Sequence, residues 1–288
     1  MLKRTLFFLA LTFGGSAFAQ NADSIAIVKA KWQKSKIAPK AKLITYHFKE
    51  KNLFLANQNI AYIEVESNRK APLFAIGADA KELKATQVFG KESNSLAAIN
   101  GTFFDIKNGG SVDFVKVDGV VINPNRLEKN NTRARHQRAA IVIENGKLNI
   151  KKWDGTEDWE QKLTEKDVMN SGPLLIYNQQ IEDLDTTAFN RLRHPRSAVG
   201  IKADGKVILL TVDGRQENSA GMSLFELTKI MKWLGCISAI NLDGGGSTTL
   251  WVANAPENGV VNYPSDNKKW DHEGTRKVAN VILLKKKQ

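Results

Sequence analysis

Asp243 closes a short apolar run, Ile237-Ser-Ala-Ile-Asn-Leu-Asp243, and Gly244, Gly245, Gly246 and Ser247 follow at once. A carboxylate can attack an electrophilic carbon or take a proton from water. Three bare residues beside it let a ligand come close to the backbone, and successive unhindered N–H groups form a concavity suited to an anion. Other apolar runs end in the same manner. They deliver Asn100 and Asp105 in Ala97-Ala-Ile-Asn-Gly-Thr-Phe-Phe-Asp105, then Ser171-Gly172-Pro173, Arg193-His-Pro-Arg196, and Asp213-Gly214-Arg215 with Glu217 behind it. Guanidinium forks match phosphate oxygens in pairs, and the amides of Asn100 and Asn241 suit sugar hydroxyls. Each piece also has a plain reading. Asn100-Gly101 and Asp213-Gly214 are ordinary turn dipeptides, and Arg191, Arg193 and Arg196 equally fit a solvated basic loop.

Two routes are open to such a set. Acid–base and charge chemistry requires no cofactor. A divalent cation is the alternative, with Asp105, Asp213, Asp243 and Glu217 as oxygen ligands for Mg²⁺ or Ca²⁺. Zinc does not fit, because the four histidines show no metal-binding spacing with carboxylates.

Positioning these groups falls to many short strands. Alternation and turn residues predict strands at Leu43–Phe48, Ile60–Glu66, Leu73–Gly77, Leu96–Asn100, Val112–Val117, Val120–Asn123, Ile237–Leu242, Thr248–Val252 and Val278–Leu284. Asn145-Gly146 joins Ala139–Ile143 to Lys147–Ile150 as a hairpin, and Asp204-Gly205 does so for Ala198–Lys202 and Val207–Val212. The clearest helix runs from Ser223 to Leu234. Ser223 and Glu226 form a capping box, and Gly235 marks the stop. Weaker helical signals cover Asp79–Val88 and Thr156–Leu163. The expectation is an α+β fold over residues 42–288, a single domain with a mixed, largely antiparallel sheet and a few packed helices.

The amino terminus reads as a secretory signal peptide over residues 1–19: Lys3 and Arg4, an apolar stretch from Leu6 to Phe13, then Ala17-Phe-Ala19. That stretch is too short to span a bilayer of about 20 residues, so the expectation is an exported chain, periplasmic or secreted, without stable membrane insertion. Residues 20–41 read as a polar lead-in. The formal net charge of +12 suits anionic partners. No basic run interleaved with aromatics supports nucleic acid. Cys236, the sole cysteine, excludes an intrachain disulfide and reads as buried filler.

Asn100-Gly-Thr-Phe-Phe-Asp105, Ser171-Gly-Pro173, Arg193-His-Pro-Arg196 with Val199-Gly200, Val212-Asp-Gly-Arg215 and Asn241-Leu-Asp-Gly-Gly-Gly-Ser247, in that order, resemble the phosphodiester glycosidase family. The resemblance implies hydrolysis of a sugar-1-phosphodiester at the sugar–oxygen bond, on a phosphorylated glycan or cell-envelope polymer. A phosphate leaves as a weak base, so charge stabilisation should outweigh proton donation. On this reading Asp243, Asp213 and Arg196 carry the chemistry, one of the two aspartates attacking the anomeric carbon or activating water. Arg196, Arg215 and the amides of Gly244, Gly245, Gly246 and Ser247 clamp the phosphate. Asn100, Asp105, Asn241, Ser171 and Gly172 line the sugar. Rival readings are a glycan-binding module stacking sugars on Trp251, Tyr263 and Trp270, and a phosphodiesterase that breaks the P–O bond.

Overall fold

In the computed structural model, residues 22–287 are described; the signal-peptide pattern at 1–19 lies outside them. Turn chemistry sets the strand pairing. Asn145 and Gly146 both take positive φ, 52° and 71°, as the hairpin turn of this type demands. They join Ala139–Glu144 to Lys147–Lys152. Gly205, with φ 79°, turns Arg196–Lys202 back into Val207–Val212.

The largest sheet has eight strands, in the order Gln33–Ala38, Ala41–Leu53, Ala56–Val65, Val207–Val212, Arg196–Lys202, Cys236–Asn241, Leu174–Tyr177 and Gln180–Ile181. A five-stranded sheet is centred on Asp167–Asn170, and a four-stranded one on Ser95–Asn100 and Asn280–Lys285. Neighbours in these sheets run antiparallel among the described residues, in keeping with the largely antiparallel sheet expected.

All three sheets turn one face to a shared core. Ile63, Leu209 and Ile240 come from the first, Ile141 and Met169 from the second, Ile99 and Ile282 from the third. Side chains alternate across a strand, so Ile60, Ile208 and Leu210 point the other way, into a second core. The helix Leu224–Trp233 covers that face with Leu224, Leu227, Ile230 and Met231, all fully buried. Each contributes about 1.5–3 kcal/mol through burial. The capping box is formed: Ser223 Oγ accepts from Glu226 N at 3.2 Å, and Ser223 N donates to Glu226 Oε2 at 2.9 Å. Cys236 lies in this second core, where burial pushes its thiol up to about 12.

Three expectations are corrected. Residues 22–41 are built into the domain instead of forming a loose lead-in. Ala22–Lys29 is a helix that buries Ile27, Gln33–Ala38 pairs with Ala41–Leu53, and Trp32 meets Tyr46, Phe48 and Tyr62 edge-on or tilted. The helix expected over 79–88 starts later, at Thr86–Glu92, because Asp79 accepts the N–H groups of Lys81 and Glu82 and makes a turn. Finally, Trp251 is an inner residue, 3% exposed, and offers no sugar platform.

Candidate active site

The functional groups gather where strand ends of the three sheets meet. Ala198 pairs with Asn241, and Leu242 N donates to Ser197 O at 2.9 Å. Continuing that register sets Asp243 beside Arg196. Val212, opposite Arg196, leads into Asp213 and Arg215. Asn100 arrives from the four-stranded sheet, and Ser171 follows the last residue of Asp167–Asn170 in the five-stranded one.

Asp243 keeps part of its surface open while lying among protein atoms on most sides. Burial pushes its carboxyl up to about 6, against the lowering effect of Ser247, the Gly244 N–H and Arg276; nearby Asp113 adds to the rise. The Gly244 N–H donates to Oδ1 at 2.9 Å.

The glycines have a different purpose from the amide cradle expected. Three of the four loop amides are already engaged: Gly244 N with Asp243 Oδ1, Gly245 N with Pro195 O at 2.8 Å, and Ser247 N with Gly244 O at 3.2 Å. What the missing side chains permit is close approach. A Cβ on Gly244 would lie 2.7 Å from Pro195 O, and one on Gly245 would lie 2.9 Å from Arg215 Nη2. A Cβ on Gly246 would collide with Asp266 and Arg276. Gly245 also has φ 62°, which a side chain disfavours.

The two arginines take unequal places. Arg196 is 1% exposed; its Nε donates to Met222 O at 2.8 Å, and its Nη2 to Phe189 O at 2.6 Å and Leu192 O at 3.0 Å. The Phe189 ring lies over it at 4.8 Å. Burial, then Arg215, brings its guanidinium down to about 10, still charged at neutral pH. Arg215 is exposed, held at φ 63°, with its guanidinium over Gly245. Neighbouring Arg193 and Arg276 are paired with Glu226 and Asp266. Among the described residues Arg196 and Arg215 have no such carboxylate. Two unpaired like charges near one another are tolerated where an anion is received. His194 is disfavoured as a cation by burial and by both arginines.

Asp213 is 1% exposed and encircled. Asn59 Nδ2 donates to Oδ2 at 2.8 Å, and Asn262 Nδ2 and Tyr263 N donate to Oδ1 at 2.8 and 3.0 Å. Burial raises its carboxyl despite these donors. No face remains for a substrate, so the structure corrects its reading as an alternative to Asp243. Asp105 is occupied by its own turn: Asn108, Lys107 N and Arg126 Nη1 hold its carboxyl well below the usual carboxylate range. Glu217 is exposed in the turn after Arg215. The oxygen-ligand set imagined for a cation is not formed; among the described residues no three His, Cys, Asp or Glu side chains gather to hold a metal.

The amides lie behind the site. Asn100 is fully buried; its Nδ2 donates to Asp243 O at 2.7 Å, and its Oδ1 accepts from Ser197 Oγ at 2.6 Å and Thr249 N at 3.1 Å. Asn241 Nδ2 donates to Gly172 O at 2.8 Å, and Ser171 Oγ to Asn241 O at 2.9 Å. A Cβ on Gly172 would lie 3.1 Å from His136 Cα. This joint therefore fixes the segment that carries His136 against the strand that carries Asp243. Tyr263 and Trp270 stack on each other at 4.0 Å, with His272 4.3 Å from Tyr263.

Sequence reasoning missed His136 and Asp113. His136 Nδ1 lies 2.8 Å from Oδ1 of Asp113 as an ion-pair contact; Asp113 is fully buried and accepts hydrogen bonds from Thr102 Oγ1 at 2.6 Å and Gln137 Nε2 at 3.1 Å. The Phe103 ring covers the imidazole at 4.7 Å. One signal was present: an aspartate between Val112 and Phe114 in an apolar run needs a buried partner. A cavity of about 780 Å³, lined by Glu66, Arg69, Phe74, Lys147 and Val207 among others, opens at the far ends of the strands and includes none of these groups.

The strand-end carboxylate and the arginines packed against its glycine loop thus sit on an antiparallel α+β frame. Residues 93–285 match the phosphodiester glycosidase family, and the chain belongs to it. It is 29% identical over 183 residues to the SPbeta prophage-derived uncharacterized protein YomE of Bacillus subtilis, covering 61% of this chain and 26% of that one. It is 36% identical over 107 residues to bovine N-acetylglucosamine-1-phosphodiester alpha-N-acetylglucosaminidase, covering 35% of this chain and 19% of that protein. The match thus spans about a quarter or less of either relative. The zebrafish catalytic domain of that name, auto-inhibited by its pro-peptide, shares the fold with a TM-score of 0.66 at 21% identity, over 89% of this chain and 88% of that one. A hypothetical protein from Synechocystis gives 0.63 at 14% identity, over 88% and 63%.

Proposed function

We propose that the chain hydrolyses the sugar–oxygen bond of a sugar-1-phosphodiester, releasing free sugar and a phosphomonoester. One observation carries the reading: a partly open, strongly perturbed carboxylate, Asp243, heads the loop whose Gly244 packs on Arg196 and whose Gly245 packs on Arg215, two arginines without an acidic partner among the described residues. Arg215, the accessible fork, grips the phosphoryl oxygens. Arg196 adds a fixed positive charge beneath Gly244. Such preorganised charge lowers the barrier as negative charge grows on the departing phosphate. Asp243 then bonds to the anomeric carbon or takes a proton from the attacking water. Asn100, Asn241, Ser171 and Gly172 act from behind, by fixing where Asp243 and its neighbours stand.

The net charge of +12 and the amino-terminal export pattern support a phosphorylated glycan of the cell envelope as substrate, met outside the cytoplasm. No helix among the described residues is long and apolar enough to cross a membrane.

Hydrolysis of a sugar-1-phosphodiester in oxygen-18 water should place the label in the sugar. Label in the phosphate would mean P–O cleavage, and an intact diester a binding module. Arg215→Met should lower kcat/KM about a hundredfold, within the range found for losing one stabilising donor. A loss smaller than about threefold would remove Arg215 from the clamp.

A further inference from the structure

We infer that His136, oriented by Asp113, is a catalytic proton donor to the departing phosphoryl oxygen. The inference rests on the hydrolytic reading above and adds a residue to it. The geometry is that of an imidazole held against a charge. Nδ1 lies 2.8 Å from an oxygen of a fully buried carboxylate, an ion-pair contact that is not aligned as a hydrogen bond; a proton on Nδ1 meets that charge and leaves Nε2 as the second working nitrogen. Among the described residues nothing hydrogen-bonds Nε2. Phe103 covers one side of the ring, and the backbone of Gly172 closes on the other side of the residue. The imidazole remains 30% exposed. Asp243 is near enough for its charge to be felt at His136.

The charges around the ring agree with a donor. Burial opposes its protonation, but Asp113 in contact, with Glu128 and Asp243 farther off, outweighs that and raises the imidazole above its ordinary 6.5. Asp243 is mostly ionised above about 6. The two groups thus hold opposite forms over one pH window, the condition for acid and base to act together. On its own segment, Arg135 is paired with Asp185 at 3.0 Å and Arg133 with Glu160.

The step balances. As the bond between the anomeric carbon and the bridging oxygen breaks, its electron pair stays on oxygen, and that oxygen takes the Nε2 proton. Water supplies the hydroxyl of the released sugar, and its second proton passes by way of Asp243 back to His136. The phosphomonoester leaves one proton less negative than it otherwise would, which eases its escape from Asp243. Proton donation is therefore a larger part of the reaction than the acidity of phosphate alone suggests.

The test is the pH dependence of kcat/KM on a sugar-1-phosphodiester for the wild type, His136→Gln and Asp113→Asn. The wild type should give a bell with its acid limb near 6. His136→Gln should fall about a hundredfold, chiefly in kcat, and lose the alkaline limb. Asp113→Asn should lower kcat and move that limb to lower pH. An alkaline limb that survives in His136→Gln, or a loss confined to KM, would overturn the inference. NMR titration of the His136 ring gives a readout independent of turnover: its midpoint should drop in Asp113→Asn, and an unchanged midpoint counts against the dyad. Failure of the wild type to release sugar would instead strike the hydrolytic reading.

Discussion

Asp243→Asn should reduce release of sugar from a sugar-1-phosphodiester by at least about a thousandfold while leaving a chain no less stable than the wild type. The first part follows from chemistry, because an amide neither bonds to the anomeric carbon nor takes a proton from water, and losses of this order accompany removal of such a group. The second part follows from linkage. The folded carboxyl titrates near 6, above its ordinary 3.8. A raised carboxyl pKa means that the folded state binds the proton more tightly than the unfolded chain. The associated stability is complete below about 4 and lost as pH rises through about 6. At neutral pH the wild type therefore carries an unfavourable term of up to about 3 kcal/mol. Asparagine removes it, while its Oδ1 can still accept from Gly244 N. Turnover and thermal melting at pH 7.5 check both halves together. Near wild-type turnover, or a variant that melts well below the wild type, would contradict this account of the site.

Asn100→Ala should have the largest effect on folding of any single change near the site. It leaves the Asp243 carbonyl, the Ser197 hydroxyl and the Thr249 N–H without their partner in a fully buried place. A buried polar group left unsatisfied costs about 1–3 kcal/mol, so the total is roughly 4 kcal/mol, or a melting point lower by about 10 °C in a domain of this size. Activity should fall with it, since the same bond fixes the backbone of Asp243. Calorimetry decides: a drop under about 2 °C would show that the three partners find water or one another.

Much of this was legible locally. The Ser223–Glu226 cap, the Asn145-Gly146 hairpin and the burial of Cys236 each depend on neighbours within a few residues, and the sequence shows those directly. The strand-end glycine loop was legible as a place, but not as a mechanism. Whether its amides face a ligand or a carbonyl depends on Pro195 and Asp243, which only the fold brings to them. Asp213 and Asp243 look alike in sequence, each an aspartate before a glycine at a strand end. What separates them is Asn59, Asn262 and Tyr263 closing over one and not the other. His136 sits in a run of arginines with nothing nearby to mark it, and its partner Asp113 comes from another loop. Strand Gln33–Ala38 escaped notice because it lies at a sheet edge and is polar and largely exposed, so alternation was faint.

Because Asn100 ties the tip of one sheet to two places on another, the reaction centre does not exist in any half-assembled chain. Catalysis and cooperativity become one event. During refolding, the recovery of turnover should follow the slowest docking of those layers rather than the earlier growth of secondary structure.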